Sequence, residues 1–256
     1  MTPPPESGRD PEPISRLAPA LPGPGVISQF WGDLAFLHWR VDPARVEPFL
    51  PPGTRPDVVD GTSWVGLIPF ELSSSAFGPL PAVPYFGRFA ETNVRLYSVG
   101  ADGRRGVVFR TLEASKLVPV LAARIGLGLP YTWAGMSIRR DADGITYDSR
   151  RRWPSASPFS PTRPQTHVRI RPLDEPVTDD PLAEFLTARW GMHVGRRGRT
   201  RFWPNNHPTW SLHRAELLEL DDELLAATGF EGLAETPPDS VLYSPGVSTR
   251  FARPAS

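Results

Sequence analysis

Cysteine is absent from this chain of 256 residues, and lysine occurs once, at Lys116. Without cysteine there is no disulfide, no thiolate metal ligand and no thiol nucleophile, and such a composition is typical of proteins in the reducing cytoplasm. With a single lysine, imine chemistry has only Lys116 or the N-terminal amine to use. The sequence also has no run of about 18 apolar residues, which argues against a membrane-spanning helix. We therefore expect a cytoplasmic protein with no membrane partner.

An excess of charge of either sign is also missing. The 28 basic and 28 acidic residues give a formal net charge of zero. No overall field therefore favours nucleic acid or an anionic surface as a partner. The phosphate-loop, dinucleotide-binding, nucleophile-elbow and His-Glu-x-x-His motifs are absent from the sequence. His207 and His213 do not have the spacing of metal ligands, so we expect no metal and no cofactor.

Proline, by contrast, is abundant, and 8 of the 32 prolines fall within the first 25 residues. This stretch has scattered charges and little clustered apolar surface, which is typical of disordered segments and unlike a signal peptide. We predict a disordered tail over residues 1–25 and a single domain over residues 26–252. On this basis, a truncation that begins near Val26 is expected to keep the melting temperature unchanged.

Two Asp-Gly pairs stand between strand-like runs and predict hairpins, at Asp102-Gly103 and at Asp143-Gly144. The apolar period of residues 115–127 predicts a helix between the two hairpins, and a second helix is predicted over residues 181–190 after Asp179-Asp180. Strands outnumber helices throughout the rest of the chain. The sequence therefore predicts an α+β domain with a mostly antiparallel sheet or barrel and inserted helices.

A row of polar side chains marks the strand predicted over residues 89–97. A period of two places Glu91, Asn93, Arg95 and Tyr97 on one face of that strand. Such a row fits either the solvated face of an antiparallel strand or the lining of a polar cavity.

Arg40 stands out because the strand around it, residues 34–41, is otherwise apolar except for His38. Its guanidinium either reaches solvent at the strand end or is held in a pocket to bind an anion. An unpaired guanidinium in such a strand would be costly, so an acidic neighbour such as Glu91 is expected.

Five longer motifs carry a family resemblance. They are Leu37-His38-Trp39-Arg40-Val41-Asp42-Pro43, Trp64-Val65-Gly66-Leu67-Ile68-Pro69-Phe70, Glu91-Thr92-Asn93-Val94-Arg95, Leu129-Pro130-Tyr131-Thr132-Trp133 and His207-Pro208-Thr209-Trp210-Ser211-Leu212. Together they resemble the bacterial family catalogued as domain of unknown function 2071 (DUF2071), over nearly all of residues 30–250. That family is placed in the acetoacetate decarboxylase-like superfamily, so the resemblance implies a cone-like β-barrel with a central pocket.

The resemblance extends to the decarboxylase active site, with one departure. Arg40-Val41-Asp42 matches an early-strand arginine and its following aspartate, and Glu91 matches a strand glutamate. Arg124 and Pro130 keep the spacing that precedes the imine-forming lysine, but the next residue here is Tyr131. The resemblance therefore implies a decarboxylase-like pocket without a Schiff-base lysine. Lys116 lies some fifteen residues before Tyr131 in the sequence, and a lone lysine there is more typical of a solvated surface.

From these matches we predict that Arg40, Glu91 and Tyr131 converge on a pocket for a small carboxylic acid or oxo-acid. Arg40 would hold the carboxylate, Glu91 would act as base or acceptor, and Tyr131 would donate to a carbonyl or enolate oxygen. Three functions remain open: a lyase that needs no lysine, a non-catalytic metabolite-binding protein, and a structural relic plugged by Tyr131. The predicted substrate-binding residues are His38, Asn93, Arg95, Tyr97, Arg124, His207 and Trp210.

Overall fold

The computed structural model describes residues 8–77, 88–117, 128–153 and 163–254. Within these residues there are twelve strands: β1 (Ile27–Val41), β2 (Thr54–Pro56), β3 (Ser63–Phe77), β4 (Arg88–Gly100), β5 (Arg105–Ala114), β6 (Tyr131–Asp141), β7 (Gly144–Trp153), β8 (Gln165–Pro176), β9 (Gly191–Arg196), β10 (Arg199–Asn206), β11 (His213–Asp222) and β12 (Ser240–Phe251). The described helices are short: α1 (Pro43–Val46), α2 (Pro181–Thr187), α3 (Leu224–Ala227), and 3₁₀ turns at Glu47–Phe49 and Leu233–Glu235. No helix in this part of the chain has the length and apolar character needed to cross a membrane.

Local signals in the sequence explain where several elements begin. Asp42 and Asp180 cap α1 and α2, because each carboxylate accepts a hydrogen bond from a backbone N–H in the first turn and each is followed by proline. The Asp102-Gly103 and Asp143-Gly144 hairpins are confirmed, since β4 pairs with β5 and β6 pairs with β7 in antiparallel register. Most of the helix predicted over residues 115–127 lies outside the described residues.

The strands form one mixed sheet that closes into a ring. The order β5-β6-β7-β8-β11-β12-β1-β3-β4 returns to β5, because β4 and β5 also pair. The β9–β10 hairpin forms a second connection between β5 and β12. Nearly all pairs are antiparallel, while β5 runs parallel to β6 and to β9. This largely antiparallel, ring-shaped sheet with few helices confirms the predicted fold class.

β1 is buried on both faces over Leu34–Trp39. On β1, Ala35, Leu37 and Trp39 pack into one apolar core, whereas Leu34 and Phe36 pack into the core on the opposite face. Trp31 also packs on the second side because β1 carries one extra residue between Gly32 and Leu37 relative to β3. β5 carries a similar extra residue, Arg110, relative to β4, so the alternation of its side chains between the two faces changes there. Because of the first bulge, Trp31 and Phe36 of β1 pack into the same cluster. Because of the second, Val107 and Leu112 of β5 also share one cluster.

The described part of the proline-rich tail lies against the domain. The backbone N–H groups of Arg9 and Glu12 donate to the carbonyls of Ala101 and Gly103, at 3.1 and 2.9 Å. Further along, the carbonyls of Ser15 and Pro19 accept hydrogen bonds from Trp190 and Asn206. Arg16 forms ion pairs of 2.9 Å with Asp179 and Glu184. The domain boundary near residue 26 stays a prediction, but residues 9–19 make contacts that the composition did not indicate.

Because of these contacts, removal of residues 1–22 is expected to lower the melting temperature by roughly 2–4 °C, which reverses the expectation from composition. The lost hydrogen bonds outweigh the entropy gained by releasing a proline-rich segment whose unfolded state is already restricted. Differential scanning calorimetry measures the shift. A control that lacks residues 1–7 keeps these contacts and should melt like the full chain; an unchanged melting temperature in the longer truncation would contradict the prediction.

Candidate small-molecule site

A cavity of about 470 Å³ lies on the β9–β10 side of the sheet, between β1, β4, β5 and β10. Its volume falls within the range of pockets that hold small organic ligands. Much of its lining is aliphatic or aromatic. The polar side chains that reach it come from separate elements and include Gln29, Ser75, Glu91, Arg95, Tyr131, Asn205 and His207.

Glu91 and Tyr131 form a hydrogen-bonded pair on the cavity lining. The Tyr131 hydroxyl donates to Glu91 Oε2 at 3.0 Å, and the Glu91 side chain is buried on β4. Burial raises the pKa of Glu91 to about 8, although the hydrogen bond from Tyr131 acts in the opposite direction. Burial and the neighbouring carboxyl group also raise the pKa of Tyr131 well above its usual value. At neutral pH, Glu91 is therefore mainly a neutral carboxylic acid that can donate a hydrogen bond.

Arg95 lies on this lining, as do Arg189 and Arg253. The Nε of Arg95 donates to the Tyr97 hydroxyl at 3.0 Å, and its Nη2 donates to the Leu186 carbonyl at 2.9 Å. The guanidinium also lies 5.4 Å from the centre of the Phe36 ring. No carboxylate of the described residues forms an ion pair with Arg95, so its charge is held by neutral acceptors and aromatic faces. Such a guanidinium is well suited to bind an anion.

The structure does not bring Arg40 into this cavity, and this part of the predicted site is corrected. The Arg40 side chain is 55% exposed, and its Nε lies 3.6 Å from Asp239. It covers the buried Trp64 ring at 5.1 Å. Arg40 lies near the end of β1, so its guanidinium reaches solvent, and the interior position on the same face is taken by His38. The acidic neighbour of Arg40 is Asp239, not Glu91.

His38 and Tyr97 lie behind Arg95 and are fully buried. His38 Nε2 is 2.6 Å from the Tyr97 hydroxyl, which also donates to the Leu186 carbonyl at 2.9 Å. Burial, followed by the charges of Arg95 and Arg189, holds the pKa of His38 well below its usual range. These two residues therefore support the Arg95 side chain and do not line the cavity. Asn93 is also buried away from the lining, and its Oδ1 has no hydrogen-bond partner among the described residues.

His207 and Trp210, which were predicted to bind substrate, lie on the cavity lining. The His207 ring packs between Trp190 and Trp210, with centroids at 4.5 and 4.6 Å. Its Nδ1 donates to the Pro208 carbonyl at 2.7 Å, which leaves Nε2 as the acceptor of the neutral ring. Burial lowers the pKa of His207 to about 4. His207 therefore contributes a neutral acceptor at physiological pH.

A buried ionic group near Arg95 was not predicted from the sequence. Arg189 lines the cavity, and its guanidinium pairs with Asp57, which also accepts from Arg105. One carboxylate therefore pairs with two arginines, and Arg189 Nη2 is buried with no hydrogen-bond partner in the described part of the chain. Asp57 is 132 residues from Arg189 in the sequence, so no local pattern could have linked the two.

Three further predictions concern Arg124, Lys116 and a metal site. Arg124, predicted to bind substrate, lies outside the described residues. Lys116 follows β5 and is not among the described side chains that line the cavity. Within the described ranges, no three histidine, cysteine or acidic side chains stand close enough to share a metal ion.

A family model matches residues 28–248, which is most of the chain. The chain belongs to the DUF2071 family, described as an uncharacterized conserved protein. It is 31% identical over 193 residues to the uncharacterized protein YqjF of Bacillus subtilis (strain 168), covering 75% of this chain and 76% of that protein.

Solved structures of acetoacetate decarboxylase-like proteins have the same fold as this DUF2071 protein. An acetoacetate decarboxylase-like enzyme from Sphingomonas wittichii RW1 matches with a TM-score of 0.57 and 14% identity, over 93% of this chain and 96% of that one. The enduracididine biosynthesis enzyme MppR in complex with pyruvate matches with a TM-score of 0.54 and 19% identity, over 91% and 89% of the two chains. At these identities the similarity establishes the fold.

Proposed function

We propose that this DUF2071 protein binds a small organic acid in the cavity. Arg95 holds the carboxylate, and the Glu91–Tyr131 pair contacts a carbonyl or hydroxyl oxygen of the same ligand. The observation that carries this proposal is Arg95, a half-buried guanidinium on the cavity lining with no carboxylate partner in the described part of the chain. A bound carboxylate would provide a charge-assisted, bidentate partner.

The charges around Arg95 support an anionic ligand. Asp57 is the one carboxylate of the described ranges that pairs with Arg105 and Arg189, so this group carries an excess positive charge beside Arg95. Glu91 is mainly protonated at neutral pH, and His207 is neutral, so neither opposes an anion. The similarity in fold to MppR, whose structure contains pyruvate, is consistent with an oxo-acid.

Calorimetric titration tests this proposal directly. Small α-oxo and α-hydroxy acids are expected to bind at least roughly tenfold more tightly than their primary amides, because the amide keeps the shape but loses the charge that pairs with Arg95. Each acid and its amide are measured in the same buffer and at the same ionic strength. Equal affinity of an acid and its amide would contradict a carboxylate site.

A second candidate function, acid–base catalysis by a lyase that forms no imine, is favoured by the Glu91–Tyr131 pair. A glutamate with a pKa near 8 exchanges its proton close to physiological pH, as a general acid or base must. When protonated Glu91 donates to the Tyr131 hydroxyl instead of accepting from it, the single Tyr131 proton can be donated to an oxygen that becomes negatively charged in the reaction. A phenol cannot replace an amine as the group that forms an imine.

Imine formation is therefore expected to be absent. Incubation with acetoacetate or pyruvate followed by borohydride should leave the protein mass unchanged, since no lysine is among the described residues that line the cavity. Intact-protein mass spectrometry measures the result, and an acetoacetate decarboxylase treated in parallel provides the positive control. A reduced adduct on Lys116 would show that an imine mechanism operates after all.

A further inference from the structure

Most of the apolar lining of the cavity forms two walls that belong to different packed clusters. We define the first wall by Trp31, Leu72, Phe89 and Trp210, which pack with the β1–β3–β4 side of the sheet. We define the second wall by Val107, Phe109, Met192, Trp203 and Phe251, which pack with β5 and the β9–β10 hairpin.

The two walls meet at identifiable rings. Tyr131 packs against both clusters, and the rings of Trp31 and Phe251 lie 5.9 Å apart. Arg95 is also close to both sides, since its guanidinium lies over Phe36 of the first cluster and Tyr97 of the second. The cavity is therefore a space between two apolar surfaces, with its polar groups at Arg95 and at the Glu91–Tyr131 pair.

The first wall presents mainly the carbon surfaces of its indole rings to a ligand. Trp31 Nε1 already donates to Gln29 Oε1 at 3.1 Å, and Trp210 Nε1 donates to the Thr187 carbonyl at 3.0 Å. Neither N–H is therefore free to recognise a polar substituent. A ligand body between these walls gains from apolar burial and from ring contacts.

We infer that the organic acid bound here is an aromatic one, with a planar aryl body between the two walls and its carboxylate on Arg95. This inference rests on the proposed function and adds the substrate class. A cavity of about 470 Å³ is far larger than a three-carbon acid requires. An aliphatic acid could fill the same volume, but it would not gain the edge-to-face and offset-stacked contacts that the rings of both walls provide.

The experiment compares four ligands by calorimetry: pyruvate, phenylpyruvate, its cyclohexyl analogue and phenylpyruvate methyl ester. Phenylpyruvate is expected to bind at least roughly tenfold more tightly than pyruvate, because it buries a phenyl ring. It should also bind several-fold more tightly than the cyclohexyl analogue, since the two differ mainly in ring contacts. Equal or tighter binding of pyruvate or of the cyclohexyl acid would overturn the inference.

A pair of variants tests the second wall. Phe109→Leu keeps an apolar side chain but removes a ring from the lining, and it should weaken phenylpyruvate roughly fivefold while leaving the cyclohexyl acid within about twofold. Phe30→Leu is the matched control, because Phe30 is an exposed aromatic residue outside the cavity lining. An equal loss for both acids in Phe109→Leu would count against ring recognition.

The methyl ester separates this inference from the proposed function. If the ester binds as tightly as phenylpyruvate and both bind more tightly than the cyclohexyl acid, the inference of an aromatic ligand is correct and the proposed carboxylate site is wrong. If pyruvate and the cyclohexyl acid bind as tightly as phenylpyruvate while the ester does not bind, the carboxylate site is correct and the aromatic body is wrong.

Discussion

Replacement of Arg95 by glutamine is expected to weaken the binding of an organic acid by roughly a hundredfold, the effect of removing one partner of a desolvated charge pair. Glutamine keeps an N–H donor near the position of Arg95 Nε, which donates to the Tyr97 hydroxyl, so the fold should remain intact. Binding of the corresponding amide, which never paired with the charge, should change little. Calorimetry on wild type and variant with the same acid and amide measures both effects.

Arg40→Gln provides the matched control for this experiment. Both arginines were predicted from the sequence to contact substrate, but Arg40 is 55% exposed and lies beside Asp239. The Arg40 variant should bind the acid within about twofold of wild type, since exposed ion pairs contribute little. A larger loss of acid binding for Arg40→Gln than for Arg95→Gln would mean that Arg40 binds the carboxylate, as the resemblance implied.

Replacement of Glu91 by glutamine is expected to stabilise the protein in alkaline solution and to leave its stability nearly unchanged in acid. The pKa of Glu91 is about 8 in the folded protein, compared with an ordinary value of 4.5. Between these values the unfolded chain releases this proton while the folded protein retains it, so the free energy of unfolding falls as pH rises. The fall amounts to at most about 1.4 kcal/mol for each pH unit and ends above the folded pKa.

Glutamine cannot ionise, so Glu91→Gln lacks this pH-dependent loss. The variant should therefore exceed wild type by on the order of 4 kcal/mol at about pH 8.5, and the difference should approach zero near pH 4. Chemical denaturation of both proteins at several pH values measures the difference, in which the contributions of other titrating groups cancel. Glu216→Gln, an exposed substitution beside Arg171, is measured in parallel as the matched control. A difference independent of pH would mean that Glu91 is ionised in the folded protein at neutral pH.

The polar row on β4 shows how far a strand pattern can lead. The period of two grouped Glu91 and Arg95 with Tyr97, and a cavity lining describes two members of the row. Glu91 and Arg95 line the cavity, whereas Asn93 and Tyr97 are buried beside it. None of the four lies on a solvated face. The cavity borders only part of β4, and the alternation of polar residues along the strand does not show which part.

Arg40 shows why the family resemblance could not replace geometry. The spacing of Arg40 to Asp42 matches the decarboxylase pattern. Such spacing indicates which face of a strand a residue is on, but it does not indicate whether that part of the strand lies beside the cavity. β1 carries an extra residue between Gly32 and Leu37, and it runs beyond the cavity at the end where Arg40 lies. Arg95, from a different strand, lines the cavity instead.

By itself, the sequence determined the local structure and the chemical limits of this protein. Asp-Gly pairs specified both hairpins, aspartates followed by proline specified the starts of two helices, and a single lysine limited imine chemistry. These features depend on neighbouring residues or on composition, so they can be read along the chain. Only the tertiary structure decided which charged groups share the cavity. The contacts of Glu91 with Tyr131 and of Asp57 with Arg189 span 40 and 132 residues. Ring closure and strand bulges determine such contacts, and burial in the closed sheet then raises the pKa of Glu91.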